Sequence, residues 1–179
     1  MFGRKKIELL DDERAQIETL PEPMRQVLAV GRGNRATMIA LPEVCCVRNA
    51  DHWEIFGWHE VQNGRWDDET QQMIWTLVTG ESGSAELNQP AELPRIFTER
   101  VNDTIVVQRM LRVPDTSFTV VIVARRALRK KAALVWTVQA LGSTNLADPR
   151  VEQFVLEMTE HLKEEFESDA IRRRSLFAL

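Results

Sequence analysis

The chain has 179 residues, 44% of them apolar and 28% charged, a balance that lets a globular protein bury a core without disulfides or metal. Its net charge of −4 and pI near 5.5 exclude a molecule drawn as a whole to nucleic acid or acidic lipid, so any anion contact must come from a local basic patch. The start, Met1-Phe-Gly-Arg-Lys-Lys6, leads into charged Ile7-Glu-Leu-Leu-Asp-Asp-Glu13 rather than an apolar core. No secretory signal and no membrane span are expected, and the chain reads as cytoplasmic.

Residues 1–24 read as a peripheral segment with a short helix from Asp11 to Leu20, stopped by Pro21-Glu-Pro23. Gln26–Val30 and Ala36–Leu41 are apolar runs flanking Gly33-Asn34, a hairpin signal. The same Gly31-Arg-Gly-Asn34 lacks the Lys-Ser/Thr of a phosphate loop and opens a strand rather than a helix. Val44–Val47 makes a third strand. Its adjacent Cys45 and Cys46 must point to opposite faces, so they neither pair nor share a metal.

Trp58–Trp66 and Met73–Thr79 are the next strands, with Gly64 read as a bulge and Asp67–Gln71 as the polar loop between them. Trp53 falls in a loop and is expected to be partly exposed; Trp75 is expected in the core. After a short strand near Ala85–Leu87, Leu93, Phe97, Val101 and Ile105, joined by Ile96, place one apolar stripe on a helix from Pro90 to about Thr104. Pro94 fits its first turn.

Val106–Val113, Phe118–Ala124 and Ala133–Ala140 then read as a three-stranded antiparallel meander. Val120-Val-Ile-Val123 is apolar at both parities, as in a central strand covered on both faces. Asp148 and Pro149 are placed to open the last helix, with Val151, Phe154, Val155, Met158 and Leu162 as its buried stripe. The expectation is therefore an α+β fold: one domain over 25–167, with a strand-rich half closed by a helix (25–105), a βββα half (106–167), and a basic, apolar tail over 168–179.

Several short antiparallel strands leading into one apolar-striped helix, with Trp58, Val61 and Arg65-Trp66-Asp67 in the fourth strand, resemble bacterial pleckstrin-homology-like domains. That resemblance implies a small curved barrel closed by its helix, and a binding or scaffolding role. The chain as a whole also resembles an uncharacterised family of conserved actinobacterial proteins through Trp58-His-Glu-Val61, Trp66-Asp67, Arg100-Val101, Ala124-Arg-Arg126, Trp136 and Asp148-Pro149. This second likeness implies no catalytic residue.

The chemistry-bearing residues point the same way. Arg125, Arg126, Arg129, Lys130 and Lys131 put five cations in seven residues, a crowding that an acidic protein partner would relieve and that a solvated turn would also tolerate. Nucleic acid is the lesser candidate because the only aromatics near the loop, Phe118 and Trp136, fall in strands expected to be buried. Leu176 and Phe177 add an apolar anchor near the chain end, although Arg173 stands where a sliding-clamp peptide carries glutamine. Trp53 and Trp58 are candidates for a small ligand at a barrel mouth. His59, Asp67 and Asp68 are the least implausible acid–base group. The three histidines match no metal-ligand spacing, and no cofactor motif is present. The expected function is a non-catalytic interaction or regulatory module, with a small-ligand binder as the alternative.

Overall fold

The computed structural model describes residues 7–129 and 132–176, with side chains through residue 167. The chain divides into two compact units, Met1–Ile105 with Arg125–Val135, and Val106–Ala124 with Trp136–Leu179.

In the first unit, β1 (Ala29–Arg32), β2 (Ala36–Ala40), β3 (Val44–Asn49) and β4 (His52–Gly57) form an antiparallel meander in that order. The hairpin read from Gly33-Asn34 is present, with Ala29 opposite Ala40 and Arg32 opposite Thr37. β5 (Val61–Asp67), β6 (Gln72–Leu77) and β7 (Ser82–Glu86) form a second, three-stranded antiparallel sheet. Beyond β7 the chain meets β1 through an antiparallel bridge between Arg32 and Gln89, then enters the helix α2 (Leu93–Asp103) with Pro94 in its first turn. The stripe residues Leu93, Phe97 and Val101 are buried.

The main core holds Met38, Ala40, Cys45, Val47, Phe56, Trp58, Val61, Met73, Trp75 and Phe97. Trp58 is fully buried; its indole N–H donates to the Leu41 carbonyl at 2.9 Å and its ring meets Phe97 edge-on at 5.4 Å. Two glycines admit this packing. A Cβ on Gly64 would lie 2.4 Å from Phe97, and one on Gly83 would lie 2.4 Å from Trp75, so both strands bring bare backbone against a ring.

The strand expected to start at Trp58 starts at Val61 instead, after a single 3-10 turn over Trp58–Glu60. Its irregularity lies between Val61 and Asn63 rather than at Gly64. β4 occupies residues read as a loop, and Trp53 within it is half-buried.

The four-stranded sheet is apolar on its other face as well. There Ile17 of α1 (Asp11–Glu18) packs with Val30, Ile39, Leu41 and Cys46, flanked by Ile7, Leu9 and Leu20. The segment read as peripheral therefore supplies part of the interior. Glu13 of α1 is fully buried, accepting from Arg32 Nε and Nη2 at 2.6 Å each and from the Leu10 amide at 3.0 Å. Removing one partner of a fully buried ion pair costs about 3–5 kcal/mol. Arg32 keeps 31% of its side chain exposed, so water screens part of the charge that Glu13→Ala leaves behind and the loss falls below that range. Glu13→Ala is expected to lower the urea midpoint of the first unit accordingly, whereas Glu18→Ala, on an exposed side chain, is expected to leave it unchanged.

Cys45 lies in the main core and Cys46 in the second cluster, as their alternation requires. Burial raises both thiols well above their ordinary range, Cys46 to about 11. Neither is expected to react with a thiol reagent at pH 8 in the folded protein. Both are expected to react within minutes in denaturant; labelling read by mass spectrometry checks this.

β8 (Ile105–Arg112), β9 (Thr119–Arg126) and β10 (Leu134–Leu141) form a three-stranded sheet with β9 in the centre; the second unit holds Val106–Ala124 and the chain from Trp136, while Arg125 and Arg126 belong to the first. Val120–Ala124 is buried at both parities, as the apolar run predicts. The helix α3 (Pro149–Leu176) places Val151, Phe154 and Val155 against Leu111, Val113, Phe118, Val120 and Val138. Asp148 Oδ1 accepts the Arg150 backbone amide at 2.9 Å and opens this helix. The Arg150 side chain and amide hold the Asp148 carboxyl below its usual range. The helical backbone continues to Leu176, so the stretch read as a tail from residue 168 is helical over most of its length.

Candidate partner-docking site

The basic run divides sharply. Arg125 and Arg126 are the last two residues of β9, which was expected to end at Ala124. Strand alternation sends Arg125 to the same parity as Val121 and Val123, and it is 4% exposed. Its guanidinium Nη1 donates to the Val101 carbonyl and Thr104 Oγ1, both at 3.1 Å, and Nη2 donates to the Gln62 carbonyl at 3.1 Å. All three acceptors are neutral oxygens. Val101 and Thr104 close the C-terminus of α2, where the helix dipole is negative, and Gln62 is the residue that the β5 irregularity takes out of register. Desolvation lowers the Arg125 pKa. Arg125 is thus corrected from a partner contact to an internal tie: burial leaves its guanidinium no surface to offer a partner.

Arg126 and Arg129 are exposed. Among the described residues no ion pair involves either one. The Arg126 backbone amide donates to the Thr104 carbonyl at 2.9 Å, and Leu128 packs against the main core. The strand end is therefore fixed while the two charges face solvent. Lys130, Lys131 and Phe177 lie outside the described residues; Leu176 ends α3 and its side chain is likewise outside them.

The tryptophan pair is not a ligand mouth. Trp58 has no exposed surface and its N–H is already used. Trp53 packs at the edge of the second apolar cluster, with Arg48 stacked 5.7 Å from its ring. What the sequence did not reveal is a cleft of about 950 Å³ elsewhere in the first unit, lined by Ile7, Val27, Val30, Ile96, Arg32 and Arg95 among others. Its walls come from three segments distant in sequence, a placement no local pattern encodes.

His59, Asp67 and Asp68 are not brought together. His59 precedes β5 and the two aspartates follow at its far end, and a seven-residue strand separates its ends by roughly 20 Å. Asp67 accepts the Glu69 and Thr70 amides and pairs with Arg65; the Thr70 amide and then Arg65 hold its carboxyl below the usual range. Asp68 accepts the Trp66 indole N–H. The Asp67 carboxylate organises the turn. Among the described residues no cluster of three His, Cys, Asp or Glu side chains is placed to hold a metal, and no helix is long and apolar enough to cross a membrane.

No protein-family model, curated protein or solved structure matches the chain.

Proposed function

We propose that the first unit is a pleckstrin-homology-like domain and that the chain is a cytoplasmic interaction module, docking an acidic protein partner through Arg126 and Arg129. The order of four antiparallel strands, three antiparallel strands and a helix supports the first part. One observation carries the second: exposed Arg126 ends a strand and exposed Arg129 follows three residues on, with the buried Arg125 and Leu128 anchoring the segment and no carboxylate of the described residues paired to either one. Two exposed cations three residues apart in sequence raise the local potential, and an acidic surface lowers it. In the same reading Leu176 and Phe177 contribute an apolar anchor.

The test is crosslinked capture from native lysate with wild type, R126E/R129E and a chain truncated before Arg172. A partner with an acidic surface held by wild type and lost by the charge reversal supports the reading. Equal capture by wild type and the charge reversal contradicts it. Loss on truncation alone reassigns the contact to the tail.

A second reading rests on the cleft, whose volume lies in the range that encloses small ligands. It expects a metabolite screen to raise the melting temperature of wild type, with the shift abolished by Ile96→Trp.

A further inference from the structure

We infer that Arg125 is a positioning residue that couples occupancy of Arg126 and Arg129 to the order of the α2 C-terminus and the β5 bulge. This rests on the docking reading above and adds to it a route by which binding is felt elsewhere in the unit.

Three observations carry the inference. First, the buried guanidinium ties together three elements far apart in sequence: β9 itself, Val101 and Thr104 at the end of α2, and Gln62 in β5. Second, the tie and the exposed charge are consecutive residues of one strand, and the Arg126 amide bonds to the Thr104 carbonyl. Any displacement of Arg126 is therefore transmitted to the last turn of α2. Third, Arg125 donates its three hydrogen bonds to neutral oxygens, and its Nε is buried without a partner.

A buried cation lacking a carboxylate is held less firmly than a paired one, and its exposed cationic neighbours repel it when the strand end is docked. An anion on Arg126 and Arg129 removes that repulsion, and it does so most where the cations are held closest together. The anion therefore binds the docked strand end more tightly than a loosened one. By linkage it stabilises docking by the same factor. Leu128, packed on the core two residues further along, belongs to the same docked element.

The experiment is hydrogen exchange on the full chain with and without a saturating poly-glutamate peptide, with binding measured separately by titration at two salt concentrations. In wild type the peptide is expected to raise protection of amides in 101–105 and 61–64 on the order of fivefold. In Arg125→Met the peptide is expected to bind within about threefold of wild type, because the replaced group is buried away from the ligand, and to leave those amides unchanged. Arg125→Lys, which keeps the cation, is expected to restore part of the response.

If Arg125→Met does not fold, Leu128→Ala serves instead, and a response well below that of wild type is expected. An increment that persists in the variant, or wild-type binding with no increment, overturns the coupling and leaves docking standing. Absence of salt-dependent binding by wild type overturns the docking reading and this inference together.

Discussion

Trp58→Ala is expected to lower the stability of the first unit by about 4 kcal/mol, the middle of the range for removing a buried aromatic side chain. The ring is wholly enclosed, packed edge-on against Phe56 and Phe97, and its N–H is the donor to the Leu41 carbonyl. Alanine removes the apolar contacts, leaves a cavity among side chains from several strands, and strands a buried carbonyl. Against a total stability of about 5–15 kcal/mol, the loss is visible as a shift of several degrees in melting temperature or a clear drop in urea midpoint. Trp58→Phe keeps most of the volume and loses the hydrogen bond, so it is expected to cost about 1–2 kcal/mol. A cost below about 1 kcal/mol for the alanine variant would mean that the ring is not the centre of this core.

Arg125→Ala is expected to cost about 3 kcal/mol, and its sign is less obvious. Burying a guanidinium without a carboxylate is expensive in itself, so removing it returns some desolvation energy. Opposing that, three acceptors lose their charge-assisted donor, and the Val101 carbonyl keeps only the Thr104 hydroxyl at 2.6 Å among its side-chain donors. The end of α2 and the β5 irregularity share this one charged donor, so the loss is expected to outweigh the gain. Arg125→Met retains the packing of the stem and is expected to fall between wild type and alanine. Denaturant melts of the three proteins check the order; an alanine variant as stable as wild type would show that the tie contributes nothing net. Charge removal at Arg126, by contrast, is expected to change stability by less than about 0.5 kcal/mol because that side chain is solvated.

Arg125 also shows where a sequence stops being readable. Five cations in seven residues look like one solvated turn, because charge runs normally are. Yet the alternation of Val121, Val123 and Arg125 continues the parity of a buried strand, and that signal was available. Its acceptors, 21 to 63 residues away in the chain, were not. Glu13 repeats the lesson from the other side. A carboxylate in a short acidic helix reads as surface, and the one cation that balances its burial, Arg32, lies 19 residues on.

The parts that were legible depend on local physics. Gly33-Asn34 turns a hairpin, Pro94 and Pro149 sit in first turns, and the spacing of Leu93, Phe97 and Val101 gives one buried helical face. β4 was missed because an edge strand with exposed His52, Glu54 and Ile55 shows no clean apolar alternation. The cleft was missed because its walls converge only in three dimensions.

The central claim, docking on an acidic surface through Arg126 and Arg129, is tested most directly by the salt dependence of binding. The affinity of wild type and of R126E/R129E for a poly-glutamate peptide, titrated from low to near-molar salt, separates screened charge contacts from apolar ones. The account predicts that wild type binds most tightly at low salt, that the charge reversal abolishes this advantage, and that the two converge at high salt. Equal affinities at every salt concentration would contradict it.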